Sequence, residues 1–214
     1  GFKEINLDLI YGLPFQTIDS FKQTTEDILS LRPDRISLFS YAKVPWIKAH
    51  QKAIKDADLP STEDKFMIYL NARETFEGSG YVSIGMDHFA LKESPLAQGY
   101  LNKDLQRNFQ GYFLKAAPDL IGLGLTAIGE VNGHFFQNEK DLPSYYASIE
   151  KKELPVNRMC LLSEDDKIRK WVIASLMCRF EICKRDFEKQ FSLSFDPYFR
   201  KSAALLKKYQ EREM

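Results

Sequence analysis

At 214 residues, with 44% hydrophobic and 28% charged side chains, the chain is long enough to bury a sizeable core and has an ordinary globular composition. Lys and Arg number 30 and Asp and Glu 30, so no global field draws the chain to nucleic acid or acidic membranes. No apolar run reaches membrane-span length and no stretch reads as a signal peptide, so the expectation is a cytoplasmic protein with neither membrane nor nucleic-acid partners.

INLDLIYG (5–12) is rich in β-branched and aromatic residues and predicts a strand, stopped by Gly12 and Pro14. Thr17 caps a following helix, with Asp19 in its first turn, Phe21, Ile28 and Leu31 on one face, and Pro33 marking its end. RISLFSYA (35–42) predicts a second strand, and two strands joined by such a helix lie parallel. Residues 46–79 read as helical around a turn at Leu59-Pro60-Ser61, and YVSIGMDHFA (81–90) reads as another strand. Residues 91–106 are polar, loop-like or helical, and 107–138 are dense in glycine and aromatics, which predicts short strands and tight loops.

After Asp141 the character turns helical. DLPSYYASIEKK predicts one helix; SEDDKIRKWVIASLMCRF predicts a second, capped by Ser163 with Asp166 three residues on and Ile168, Val172 and Phe180 on its apolar stripe. A last helix is expected with Asp196 as cap and Pro197 at its first position. The spacing of Cys160, Cys178 and Cys183 matches neither a disulfide framework nor a zinc or iron–sulfur site, so all three read as structural; Cys178 lies in an apolar helix as a small core residue.

Three stretches carry candidate chemistry. Alternation from Ile5 places Asp8 opposite Leu7 and Leu9, either facing a ligand or paired with a basic residue of a neighbouring strand. Asp87 and His88 end an apolar strand, where the histidine is either hydrogen-bonded structure or a proton-handling group. RNFQGY suits a flat ligand with polar edges, or a tight turn that buries Phe109.

In order and spelling, INLDLIYGLPFQT, PDRISLFSYAKVP, IKDADLP, IGMDHFA, RNFQGY, DLIGLGLTAIG and DDKIRKWVIASLMCRF resemble the bacterial oxygen-independent coproporphyrinogen III oxidases (dehydrogenases), radical S-adenosylmethionine enzymes of haem biosynthesis. GMDHFA and RNFQGY favour this branch over the related radical-SAM haem chaperone; a stand-alone α/β binding module is the other alternative. The resemblance implies an α/β fold: the later strands of a partial (β/α)6 barrel with short extra strands in residues 1–138, then a truncated helical C-terminal region in 139–214. It implies two S-adenosylmethionine molecules and a four-iron cluster, and oxidative decarboxylation of two propionates of coproporphyrinogen III to vinyl groups. The family's C-x3-C-x2-C cluster motif has no match, so the chain is expected to be a fragment whose cluster belongs to a missing N-terminal part, with no metal ligands of its own. Such a fragment is expected to be inactive and to self-associate through an open sheet edge, whereas the parent is expected to be monomeric.

By resemblance, Asp8 and Ala42 contact the second S-adenosylmethionine, Ala42 through its backbone. Ile128 makes an apolar contact with the first, and Phe109 and Gln110 are active-site positions. Arg35, His88 and Arg107 are candidates for the substrate's carboxylates, whereas Arg169 reads as a surface ion pair. The chain departs from the family at Phe113 and Leu114, where small hydroxyl residues are expected, and at TAIG in place of SAIS.

Overall fold

In the computed structural model, which describes residues 4–114, 117 and 119–210, the opening segment forms β1 (Asn6–Tyr11), α1 (Ile18–Leu31) and β2 (Arg35–Ser40), with the two strands parallel. Alternation sorts the strand residues. Leu9, Tyr11, Ile36 and Leu38 join Phe21 of α1 and Ile68, Ala72 and Phe76 of α2 (Thr62–Gly78) in the core, while Asn6, Asp8 and Ile10 remain exposed on the other face. Thr17 caps α1 as expected, in a reciprocal capping box with Ser20. Leu31 is exposed rather than on the buried face, because the helix ends there and Arg32 turns left-handed; Thr25 takes the buried position.

YVSIGMDHFA is not one strand. It is a hairpin of β3 (Tyr81–Ile84) and β4 (His88–Leu91), and β4 inserts antiparallel between β2 and β3 to give the order β1-β2-β4-β3. Gly85 makes the reversal possible: its φ is +63°, and the Tyr112 hydroxyl lies 1.9 Å from where a Cβ would stand. The sheet is therefore mixed, with one parallel and two antiparallel pairings. Helix α3 (Pro95–Leu101) packs on β3 and β4, and Ile84, Ala90, Leu96, Ala97 and Leu105 are buried, which leaves the β1 end of that face open. Among the described residues β1 pairs only with β2 and is an edge strand.

The chain divides into two units, Gly1–Gln106 with Tyr112–Leu114, and Arg107–Gly111 with Lys115–Met214. The short strands β5 (Gln106–Asn108) and β6 (Gly111–Phe113) flank the Phe109-Gln110 turn. The second unit holds an antiparallel meander of β7 (Ile128–Val131), β8 (His134–Asn138) and β9 (Val156–Cys160). Nothing in the sequence had suggested β9, because VNRMC lacks a clean alternation and four of its five residues are exposed. Between β8 and β9 lies α4 (Leu142–Glu150), capped by Asp141.

Helices α5 (Glu164–Arg179), α6 (Lys184–Phe191), α7 (Phe195–Tyr198) and α8 (Arg200–Gln210) follow. Two expectations fail here. Phe180 is the left-handed, exposed C-cap of α5 rather than part of its stripe. Asp196 pairs with Lys184 instead of capping; Ser194 precedes the first turn, and the expected long helix is split at Phe199. Residues 211–214 of that expected helix lie outside the described residues. Cys178 is buried, as expected of a small core residue, whereas Cys160 and Cys183 are exposed free thiols. Arg169 pairs with Asp165 at 2.7 Å, the surface ion pair expected of it.

Ser163 and Asp166 form the capping box of α5, with Ser163 Oγ accepting from the Asp166 amide at 3.2 Å. Replacing Ser163 by alanine should cost about 1 kcal/mol in urea unfolding at neutral pH. Hydrogen bonds from Ser163 hold the Asp166 carboxyl below its ordinary value. Their contribution is present above the unfolded aspartate range and is lost as pH falls through the lowered folded value. As pH falls through and below the ordinary aspartate range the wild type should therefore lose that contribution, and S163A should show a shallower acid dependence in the same titration.

Candidate functional site

The loops at the carboxyl ends of β1 and β2 are fixed by their own side chains. Gln16 Oε1 accepts from the Gly12 and Leu13 amides at 2.6 and 3.3 Å, so the glutamine of GLPFQT staples the turn that leaves β1. The Phe15 amide donates to Asp58 O at 2.7 Å, which brings IKDADLP against it. Lys43 Nζ donates to Ile54 O and Asp56 Oδ1, each at 2.6 Å. Gln51 receives the Val44 amide on Oε1 and donates to Ala42 O at 3.3 Å; that carbonyl keeps a second lone pair, and Ala42 is exposed. Carboxyl ends of parallel strands are where open α/β sheets bind ligands. Here three motifs that are separate in the sequence meet.

Strand register supplies a second arrangement. Asp8 pairs with Ser37, and Ser37 with His88, so acid, hydroxyl and imidazole form a row across three strands on one face. Strand spacing puts the outer two Cα atoms about 10 Å apart. Asp8 is exposed and takes part in no ion pair among the described residues, which leaves the paired-carboxylate alternative without support; its Oδ1 accepts from Asn6 Nδ2 at 2.7 Å. Asn6 Oδ1 in turn accepts from the buried Ser37 hydroxyl at 3.3 Å. The His88 side chain is 15% exposed, with Nδ1 2.6 Å from Asp87 Oδ1 and its ring edge-on to Tyr112 and Phe39. Because Asp87 lies in the hairpin turn rather than on a strand, its side chain can reach its neighbour.

Arg35 stands at the amino end of β2. It is ion-paired with Glu4, and its buried Nε has no hydrogen-bond partner among the described residues.

The remaining candidates belong to the second unit. Ile128 and Glu130 share one face of the meander with their cross-strand partners Gln137 and Phe135. The Phe109 ring meets Phe135 edge-to-face, with centroids 5.1 Å apart, so Phe109 and Ile128 are brought to the same sheet face. Phe109 is 60% exposed, which excludes the reading of it as a buried turn residue. Gln110 is exposed, and its amide donates to Asn108 Oδ1 at 2.7 Å. Arg107, also exposed, lies near enough to Cys178 to oppose the upward push that burial gives its thiol.

The departures from the family pattern are packed locally. A Cβ at Gly129 would stand 2.1 Å from the Phe136 ring, so glycine in TAIG makes room for that aromatic. Leu114 fills the space beside Gly99 in the same way. Among the described residues no three His, Cys, Asp or Glu side chains are grouped to hold a metal ion, and no helix is long and apolar enough to cross a membrane.

Residues 162–214 match the HemN C-terminal domain family. The chain is 42% identical over 211 residues to the oxygen-independent coproporphyrinogen III oxidase of Helicobacter pylori, covering 99% of this chain and 46% of that protein. To the Escherichia coli enzyme of the same name it is 43% identical over 206 residues, covering 96% and 45%. The chain belongs to the oxygen-independent coproporphyrinogen III oxidase family. A solved structure of this family, the coproporphyrinogen III oxidase HemN of Escherichia coli, described as a radical SAM enzyme, superposes with a TM-score of 0.94 at 42% identity, covering 99% of this chain and 49% of that one.

This member of the oxidase family spans about half the length of the relatives it matches. Asn6, Ser37 and Gln51, which surround its candidate positions, had escaped sequence reasoning. Ser37 and Asn6 become neighbours of Asp8 only once register is known, while Gln51 lies in a segment that carried no motif.

Proposed function

We propose that this chain supplies the C-terminal half of an oxygen-independent coproporphyrinogen III oxidase, which converts coproporphyrinogen III to protoporphyrinogen IX by oxidative decarboxylation of two propionates. The observation that carries the reading is 42% identity to a relative of that name across 99% of the chain. In this reading residues 1–138 continue a partial (β/α)6 radical-SAM barrel and residues 139–214 form a C-terminal region that is helical apart from β9. The longer protein to which it belongs is, in this reading, a cytoplasmic monomer.

The residues present fit S-adenosylmethionine. Asp8 offers an exposed carboxylate with no cationic partner among the described residues, suited to accept from a ligand amine or ribose hydroxyl. They do not fit an iron–sulfur cluster, since the described residues hold no ligand group for one; the reading assigns its cysteines to the half of the protein that precedes this chain. When bound and given one electron by a reductant, S-adenosylmethionine would supply, with release of methionine, a deoxyadenosyl radical able to take a hydrogen from the propionate side chain.

Asp8 and the Ala42 backbone hold the second of two such molecules, and Ile128 packs against the first. Phe109 and Gln110 face the substrate. His88, steadied by Asp87, and Arg107 answer its carboxylates; the charge of Arg35 is already engaged by Glu4.

The test is anaerobic reconstitution of the longer protein with iron, sulfide, S-adenosylmethionine, a low-potential reductant and coproporphyrinogen III. Protoporphyrin fluorescence after oxidation of the product is expected, and none from residues 1–214 alone. Product from the isolated chain, or a haem Soret band without turnover in the longer protein, would overturn the proposal.

A further inference from the structure

We propose that Phe135, Lys170 and Glu130 are positioning residues for Phe109, through which helix α5 sets the geometry of the substrate-facing turn. The inference rests on the reading of Phe109 given above. That ring stands on the turn between β5 and β6 and is 60% exposed, so burial does not fix its direction. Its ring contact is with Phe135, the two planes lying at 88° with centroids 5.1 Å apart. Edge-to-face pairs of this kind attract beyond the area they bury and are orientation-dependent.

Phe135 sits on the central strand of its sheet, in register with Glu130 on one side and Cys160 on the other. Lys170, projecting from α5, places Nζ 4.7 Å from the Phe135 ring centroid and bonds the Glu130 carboxylate. One ammonium therefore engages two adjacent groups of a single cross-strand row. Glu130 is partly withdrawn from water, with 21% of its side chain exposed, so solvent screens this pair less than a fully exposed one.

An ordinary helix-to-sheet ion pair would explain Lys170 bonding Glu130. It would not explain why the ammonium also lies against the ring that Phe109 touches, on the face that carries Ile128. The chain of contacts from α5 to Phe109 runs Glu130–Lys170–Phe135–Phe109. It lies wholly within the second unit, and Lys170 falls in the segment that matches the HemN C-terminal domain. The inferred role of that segment is to aim the turn at substrate, beyond packing as a separate bundle.

A misaimed Phe109 should let the radical form without reaching its target. In the reconstituted longer protein the readout is deoxyadenosine released per porphyrin product, measured alongside kcat and KM for coproporphyrinogen III. K170M, which keeps the aliphatic stem, and F135L should each raise that ratio about fivefold, chiefly through kcat, as expected for loss of one ring contact. K170R, which keeps the cation, should restore the wild-type ratio. E130Q/K170M leaves no unpaired charge and should match K170M, which separates misalignment from a folding defect.

A wild-type ratio in K170M, or deoxyadenosine and product falling together with the thermal midpoint in both lysine variants, would overturn the inference while leaving the proposed function standing. Absence of product from the wild-type longer protein would overturn the function itself.

Discussion

Changing Asp8 to asparagine in the longer protein is expected to lower turnover on the order of 10- to 100-fold, through weaker S-adenosylmethionine binding. Loss of a hydrogen bond to a charged acceptor costs about 1.5–3 kcal/mol, which sets that range. The substitution is nearly isosteric. Asp8 is exposed and carries no ion pair among the described residues, so the strand should fold as before. Asn6 Nδ2 can still donate to the side-chain oxygen, and Ser37 can still donate to Asn6. The measurement is the KM for S-adenosylmethionine beside the thermal midpoint. An unchanged KM would remove Asp8 from the site, and a large drop in the midpoint would make it structural.

The second large effect is on stability. Phe187 of α6 is fully buried, and its ring meets Trp171, Phe191, Phe195, Tyr198 and Phe199 at centroid distances between 5.1 and 6.2 Å. Truncation to alanine removes the ring on which α5, α6, α7 and the Phe199 junction converge. It should cost about 3–5 kcal/mol, the transfer free energy of the ring plus the cavity left behind. Replacement by leucine, which refills part of the space, should cost less. Urea unfolding followed by Trp171 fluorescence reads this directly, because Trp171 lies 5.9 Å from the ring, whereas the other tryptophan, Trp46, is exposed. A cost below about 1 kcal/mol would show that these helices are not held together by this cluster.

Much of the architecture was legible from short-range rules. Thr17 and Ser163 bond groups three residues away, so both caps could be read without knowing the fold. The pairing of β1 with β2 followed from strand, helix, strand in immediate succession. The motif spellings, each confined to a dozen residues or so, were enough to identify the family.

The failures share a different origin. His88 lies beside Ser37 because β4 inserts out of sequence order, and Asp87 reaches His88 because a left-handed glycine two residues earlier turns the chain. Phe195 and Ser194, rather than Asp196, begin a helix because the Phe187 cluster fixes the chain there.

The sequence by itself determined the family, the two cap-defined helices, the parallel pair and the alternation that exposes Asp8 on β1. Only the tertiary structure decided which residues become neighbours: Asp8 with Ser37 and Ser37 with His88 across strands, and Phe135 with Phe109 on one side and Lys170 over its ring. The physical reason is range. Caps, turns and alternation are set by energies between residues a few positions apart, whereas a site is assembled by register and packing between segments up to 80 residues apart, and no local preference encodes those.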